Sequence, residues 1–172
     1  KCFYFGDGDD GAMRTNKTNV EIDGENHNFY FEKSGGNKGA GKTGEKDDKY
    51  YQSGKLVRAG SDEKYQVVQF LDTADAYGYD KLEDAAEFKS IIEGNTEYTT
   101  DDTVNQEIAV ITRDVRNTDG TIEVKNGTDT DEFFLVNTSG KVIDSKSKNK
   151  DGNDYQFVVA KGGSILGYYV ED

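Results

Sequence analysis

The sequence predicts a mainly β protein, with stacked β-hairpin repeats at both ends and a small α+β insert that carries one helix. Two observations indicate this class. Hydrophobic residues make up only 33% of the chain, yet they include 11 Tyr and 9 Phe, and aromatic residues favour strands. Short aromatic runs also recur beside turns of Gly, Asp, Asn and Ser, which is the pattern of β-hairpins.

The repeated unit is a short aromatic strand, a polar turn, and then Gly followed by a small or charged residue and an aliphatic one. Its aromatic cores begin at Phe3, Phe29, Tyr50, Phe133 and Tyr155. A lone hairpin is only marginally stable in water, so the units are expected to stack and bury their aromatic faces.

Three segments follow from the distribution of this unit. We predict a hairpin block over residues 1–72, an α+β insert over 73–130 and a second hairpin block over 131–172, with a single compact unit as the open alternative. At the end of the first block, "KYQVVQFLD" is predicted as a strand that leads towards the helix. Within the insert, the Asp119-Gly120 turn predicts an antiparallel pair between the residues on either side of it.

One helix is predicted near residues 80–93. Asp80 can cap its start and Gly94 its end. The apolar stripe of this helix consists of Leu82, Ala85, Ala86, Phe88, Ile91 and Ile92.

Charge and residue usage exclude several function classes. With 34 acidic and 21 basic residues the net charge is −13, which repels nucleic-acid phosphates and anionic membrane surfaces, so neither is an expected partner. No apolar run is long enough to span a bilayer. A single Cys and a single His leave little basis for a metal site, for Ser-His-Asp or Cys-His catalysis, or for a cofactor.

The repeats resemble the cell-wall-binding repeats of Gram-positive surface proteins, the family that includes choline-binding and glucan-binding repeats. "CFYFGDGDDGAMRT" from Cys2 and "YYQSGKLVRAG" from Tyr50 carry the resemblance through their aromatic run, turn and Gly-x-aliphatic end. It implies a secreted or cell-surface module that binds a cell-wall polysaccharide or another glycan without catalysis. The family's Trp positions hold other residues here, which argues against choline as the ligand.

The residues in equivalent register become the candidate ligand-binding rings. They are Tyr4, Tyr30, Tyr51, Phe134 and Tyr155. Two interpretations remain open. In one, exposed rings stack on sugars; in the other, the rings are buried and the protein is a structural or protein-interaction module without a small ligand.

A nucleotide-binding alternative comes from "GNKGAGKT", residues 36–43, which fits the pattern G-x-x-x-x-G-K-[ST] of the phosphate-binding P-loop. That loop needs a helix directly after it, and the following "GEKDDKYYQSGK" has no apolar stripe at helical spacing. The sequence therefore favours hairpin turns for these glycines.

Acidic clusters suggest calcium or acid-base chemistry only weakly. The turn from Asp7 to Gly11 begins like a calcium loop, but Thr18 stands where its twelfth-position Glu would be needed, so a hairpin turn is favoured. Asp47-Asp48 and Asp101-Asp102 are adjacent pairs, and neighbours on a strand point to opposite faces. No catalytic residue is predicted.

Overall fold

The computed structural model describes residues 1–6, 11–94, 109–110, 114–116, 122–124, 132–144, 147–150, 155–159 and 162–170. The strands are β1 (Asn16–Ile22), β2 (Glu25–Phe31), β3 (Gly44–Lys46), β4 (Lys49–Gln52), β5 (Lys55–Leu56), β6 (Tyr65–Asp72), β7 (Tyr77–Lys81), β8 (Ala109–Val110), β9 (Asp114–Arg116), β10 (Ile122–Val124), β11 (Glu132–Asn137), β12 (Ser147–Lys150), β13 (Tyr155–Val159) and β14 (Ile165–Val170). The helix α1 spans Ala85–Gly94, and a short 3-10 turn spans Gly35–Asn37. The predicted mainly β class is confirmed.

Two compact units make up the chain, Lys1–Val57 and Arg58–Asp172. The first ends before β6, whereas the sequence placed β6 at the end of a block over residues 1–72. The reason is strand pairing: β6 lies between β7 and β11 in one antiparallel sheet. Residues assigned to the first and the last predicted blocks therefore share a sheet in the second unit.

The first unit contains a five-stranded antiparallel sheet in the order β1-β2-β5-β4-β3. Three two-residue turns join its strands: Asp23–Gly24, Asp47–Asp48 and Ser53–Gly54. Both residues of each turn have positive φ angles. This backbone matches the right-handed twist of the strands, and Gly and Asp tolerate it better than most residues.

Strand β2 is buried on both faces of this sheet. Phe29 and Phe31 pack on one side with Val20 and the partly buried Tyr4, whereas Tyr30 packs on the other side with Tyr51 and Leu56. The side chains of neighbouring residues point to opposite faces, so three successive aromatic residues fill two separate clusters.

The predicted hairpins form at three of the five repeats. Strands β4 and β5 pair, β11 turns back so that Val136 bridges to Val142, and β13 pairs with β14. The second repeat is different, because the strand at Phe29 pairs with β1, which precedes it, and with β5. In the first repeat, the residues around Phe3 form no regular strand.

The second unit has three antiparallel sheets in its described residues, in the orders β11-β6-β7, β12-β13-β14-β8 and β10-β9. The predicted strand from "KYQVVQFLD" is β6. The predicted antiparallel pair is β9 with β10, and its Asp119-Gly120 turn lies outside the described residues.

Helix α1 supplies the centre of the second unit's core. Phe88 is fully buried, and its ring lies 5.1 Å from that of Phe133, 5.4 Å from that of Tyr168 and 5.8 Å from that of Phe157. Leu82, Ala85 and Ile91 join this cluster. The predicted stripe was wrong at Ala86, which is exposed.

The helix begins later than the sequence predicted, because Asp84 rather than Asp80 caps it. The Glu87 amide donates a hydrogen bond to the Asp84 carboxylate at 2.8 Å, while the Glu87 carboxylate accepts one from the Glu83 amide at 2.6 Å. This reciprocal arrangement satisfies amides that have no partner inside the helix. Asp80 lies in strand β7 instead.

We predict opposite outcomes for two substitutions in the glycine-rich stretch. Gly41→Ala should destabilise the fold by about 2 kcal/mol or more, because a Cβ there would overlap the Ser53 carbonyl and lie 2.9 Å from the Gly54 nitrogen. The matched control Gly36→Ala meets no atom within 4 Å. Urea unfolding measures both; equal stability of the two variants would contradict the close approach at Gly41.

Candidate functional site

Two of the five candidate rings form the core of the first unit instead of a binding surface. Tyr30 is 5% exposed and Tyr51 is 3% exposed, with ring centroids 5.8 Å apart. They lie on neighbouring hairpins, and Leu56 completes their cluster. Their ring faces are therefore covered by protein, as the buried-ring interpretation expected, and cannot stack on a sugar in this conformation.

The two candidate rings of the second unit also pack against protein. Phe134 is buried, stands opposite Val68 in the strand register and is bridged to Ser164 through the backbone. Tyr155 is partly buried, and its ring stacks on Phe157 and tilts against Tyr168. Phe134 and Tyr155 therefore pack against the protein rather than forming an open binding surface.

Tyr4 is the candidate ring that borders open space. Its ring is partly buried and stacks on Phe31 with centroids 6.3 Å apart. It also lines a cleft of about 360 Å³, which we call the Tyr4 cleft. Its lining among the described residues consists of Tyr4, Gly6, Arg14, Thr15, Lys17, Thr18 and Asn19.

Backbone geometry builds the Tyr4 cleft from three segments. The Arg14 amide donates to the Tyr4 carbonyl at 2.8 Å, which aligns these two residues. The Arg14 side chain lies over Gly6, where a Cβ would stand 3.1 Å from Nε. Successive residues of β1, the outermost strand of its sheet, close the cleft.

Lys17, on the wall of this cleft, is held by an ion pair. The Lys17 ammonium lies 3.0 Å from an Asp47 carboxylate oxygen, and both side chains are half-exposed. The hydrogen bond and the charge of Asp47 raise the pKa of Lys17, and the hydrogen bond from Lys17 lowers the pKa of Asp47. Both groups therefore stay charged across the neutral range.

A second aromatic surface lies on the hairpin of β6 and β7, which the sequence did not single out. The Phe70 ring lies 5.8 Å from the Tyr77 ring, edge-on, and 5.2 Å from the tilted Tyr79 ring. Tyr77 is 60% exposed, and the other two are partly exposed. We call these three rings the hairpin triad.

Strand register explains why the hairpin triad shares one face. Phe70 stands opposite Tyr79, and Asp72 stands opposite Tyr77. Residues two apart on a strand point to the same side, so all four side chains lie on one face at the turn end of the hairpin. The exposed Asp72 carboxylate is therefore beside the rings.

Sequence reasoning missed the hairpin triad because the helix was expected to begin at Asp80, which left "YGYD" without a strand. The spacing of the aromatic residues in the sequence did contain a signal for this hairpin. Tyr77 and Tyr79 are two residues apart, and Phe70 and Asp72 have the same spacing on the other side of a short polar turn. That alternation is typical of one face of an antiparallel hairpin.

The glycine-rich residues 36–43 connect β2 to β3 rather than leading into a helix. The amides that would cradle a phosphate in a P-loop donate to backbone carbonyls: Gly39 to Glu32, Ala40 to Asn37 and Gly41 to Cys2. Lys42, which would reach the terminal phosphates, lies 3.3 Å from the Glu32 carboxylate. Residues 39–42 therefore form a hydrogen-bonded turn in which these amides and the Lys42 side chain already have partners within the protein.

No family model, curated protein or solved structure matches the chain. The resemblance to cell-wall-binding repeats therefore stays a prediction. Within the described ranges, no helix has the length and hydrophobicity to cross a membrane, and no three His, Cys, Asp or Glu side chains gather where they could share a metal ion. The Asp7–Asp10 turn lies outside those ranges.

Nucleotide should leave the stability of this protein unchanged. A ligand that binds only the folded state at 100 times its Kd would add about 2.7 kcal/mol, whereas the amides of residues 39–41 already have acceptors. Melting curves with and without millimolar ATP and Mg²⁺ test this. A rise in Tm that Lys42→Gln abolishes would restore the P-loop interpretation.

Alkaline pH should destabilise the first unit through Tyr51. Burial raises the pKa of its phenol above the ordinary value of 10.0. The neutral phenol therefore stabilises the fold below about pH 10, and this contribution is lost as pH rises through the higher folded-state pKa. Urea unfolding from pH 8 to 12 should show a smaller alkaline loss for Tyr51→Phe than for wild type.

The matched control is Tyr77→Phe, which removes the hydroxyl of an exposed tyrosine. It should keep the alkaline loss of the wild type. If Tyr51→Phe loses stability over this range as steeply as the wild type does, Tyr51 does not cause the loss.

Proposed function

We propose that this protein is a non-catalytic glycan-binding module, secreted or displayed at a Gram-positive cell surface, whose ligand is a cell-wall polysaccharide or another glycan. The observation that carries the proposal is the hairpin triad, in which the exposed Tyr77 ring adjoins the partly exposed rings of Phe70 and Tyr79, with a carboxylate on the same face. The candidate rings predicted from the sequence suggested stacking on sugars. The hairpin triad is the surface on which we propose that this stacking occurs.

Exposed aromatic rings on a strand face suit sugars for a physical reason. The C–H face of a pyranose is apolar and packs on a ring, while its hydroxyls need hydrogen-bond partners at the edge. Tyr77 presents an exposed ring and Tyr79 a partly exposed one, and the Asp72 carboxylate is an acceptor on the same face. Phe70 packs against both tyrosine rings.

Weak binding at each site is consistent with a wall-attachment role. One ring contact contributes about 0.5–1.5 kcal/mol, so a single hairpin triad would bind a sugar loosely. A polymer presents the same sugar many times, and several weak sites on one chain or on neighbouring molecules add to a strong attachment. Attachment needs no acid-base pair, in line with the proposal that the protein is not an enzyme.

A second candidate, a protein-interaction module, is favoured by a different observation. Phe3, Phe5 and Met13 are exposed apolar residues of the first unit, while Tyr30, Tyr51 and Phe134 are buried. A protein partner would cover the first group and leave the hairpin triad unaffected. The two candidates therefore predict sensitivity to different substitutions.

Retention on insoluble polymers tests the proposed function. The panel is peptidoglycan with and without wall teichoic acid, together with α- and β-glucans. Wild type should be retained on at least one of them, and Tyr77→Ala should weaken that retention about two- to tenfold by removing one ring contact. Tyr77→Phe, which keeps the ring, should lose less.

Phe3→Ala is the matched control, since it removes an exposed ring that belongs to neither the hairpin triad nor the Tyr4 cleft. It should bind like the wild type. No retention of the wild type on any polymer would overturn glycan binding. Equal retention of Tyr77→Ala and Phe3→Ala would remove the hairpin triad as its site.

A further inference from the structure

We propose that strand β1 is a self-association surface, on which β1 of a second copy of this chain pairs antiparallel about Asn19 to form a symmetric dimer. This inference goes beyond the proposed glycan binding and does not depend on it. β1 is the outermost strand of its sheet, and its Lys17, Asn19 and Glu21 are exposed. An exposed outer strand is a template on which another strand can pair.

The backbone groups of every second residue of β1 point to the open edge of the sheet. Tyr30 shows which residues these are, because its amide donates to a carbonyl of the β4–β5 turn at 2.8 Å and its carbonyl accepts from the Lys42 amide at 3.0 Å. Its register partner in β1, Lys17, therefore belongs to a non-hydrogen-bonded pair. Bonded and non-bonded pairs alternate along an antiparallel ladder, so the amides and carbonyls of Lys17, Asn19 and Glu21 all face outward. Among the described residues, no turn, loop or further strand bonds to them.

The charges of β1 select one register for a second copy. Antiparallel pairing centred on Asn19 covers the whole strand, from Asn16 to Ile22, and sets Lys17 of each copy opposite Glu21 of the other. The other registers that match outward-facing residues set like charges opposite each other or pair fewer residues of the strand. Opposite charges that stand directly across a sheet are stabilising, whereas like charges are destabilising.

A twofold axis through the middle of β1 is compatible with every contact of this register. Asn19 lies on the axis and stands opposite Asn19 of the second copy, where the two side-chain amides can donate to each other and accept from each other. Each outward-facing residue exchanges both of its backbone hydrogen bonds with its partner. The same surface is used on both copies, as in most symmetric dimers.

The ion pair of Lys17 with Asp47 leaves room for Glu21 of the second copy. The Lys17 ammonium lies 3.0 Å from an Asp47 carboxylate oxygen, and its side chain is 59% exposed. An ammonium has three N–H donors, so Lys17 can bond both carboxylates. Val20 points to the other face and is buried in the cluster of Phe29 and Phe31, so β1 is held in its sheet without a partner at its edge.

The size of the surface predicts a weak and reversible dimer. A single strand of seven residues on each copy is smaller than the roughly 20–30 residues a side of a stable interface. The charged pairs are exposed, so salt should weaken them. Such a dimer would carry two hairpin triads and so strengthen attachment to a repetitive polymer.

Sedimentation velocity of the intact chain over a concentration series tests the proposal. The wild type should form dimers and no larger species as the concentration rises towards millimolar. Glu21→Lys and Lys17→Glu should each weaken dimerisation at least about fourfold, because each change sets like charges opposite each other at two places in the dimer. The matched control Glu25→Lys makes the same charge change on β2 of the same hairpin and should dimerise like the wild type.

Two further measurements separate pairing at this edge from damage to the fold. An equimolar mixture of Glu21→Lys and Lys17→Glu should dimerise more tightly than either variant alone, because the positive strand of one then faces the negative strand of the other. Asn19→Pro removes an outward-facing amide and keeps the ladder between β1 and β2, since proline is tolerated on an outer strand where its N–H would face solvent. It should weaken dimerisation while urea unfolding stays close to that of the wild type.

Three outcomes would overturn the proposal. A wild type that stays monomeric at millimolar concentration would exclude a second copy as the occupant of this edge. A mixture of the two charge variants that dimerises no better than its components would exclude the register centred on Asn19. A dimer that Asn19→Pro leaves unchanged would place the interface on another surface.

Discussion

Burial of Tyr and Phe rings is the interaction on which both units depend. The buried hydrophobic residues of the described ranges include ten Tyr and Phe rings, and such a ring buries roughly 150–250 Å². In the second unit Phe88 touches three other rings. In the first unit, β2 sends Phe29 and Phe31 to one face and Tyr30 to the other. The described rings of the second to fifth repeats therefore belong mainly to the cores, whereas Phe3 and Phe5 of the first repeat are exposed.

Because many rings are needed for the cores, the rings that remain outside them are the better candidates for contacts with a ligand. Tyr77 is exposed beside Phe70 and Tyr79, and Tyr4 lies at the boundary between the core and the cleft of the first unit. The hairpin triad has ring faces and a carboxylate on one face of the hairpin, a combination that suits the apolar faces and the hydroxyls of sugars.

The sequence by itself determined the mainly β class, the strand at residues 65–72, three of the repeat hairpins and the presence of one helix, because these follow from local periodicity and turn residues. It also argued against a nucleotide loop, because no helical pattern follows Thr43. Only the tertiary structure decided which rings are buried and that Phe70 meets Tyr77 and Tyr79. Burial and cross-strand register depend on partners distant in sequence, and the periodicity of one strand does not specify the strand with which it pairs.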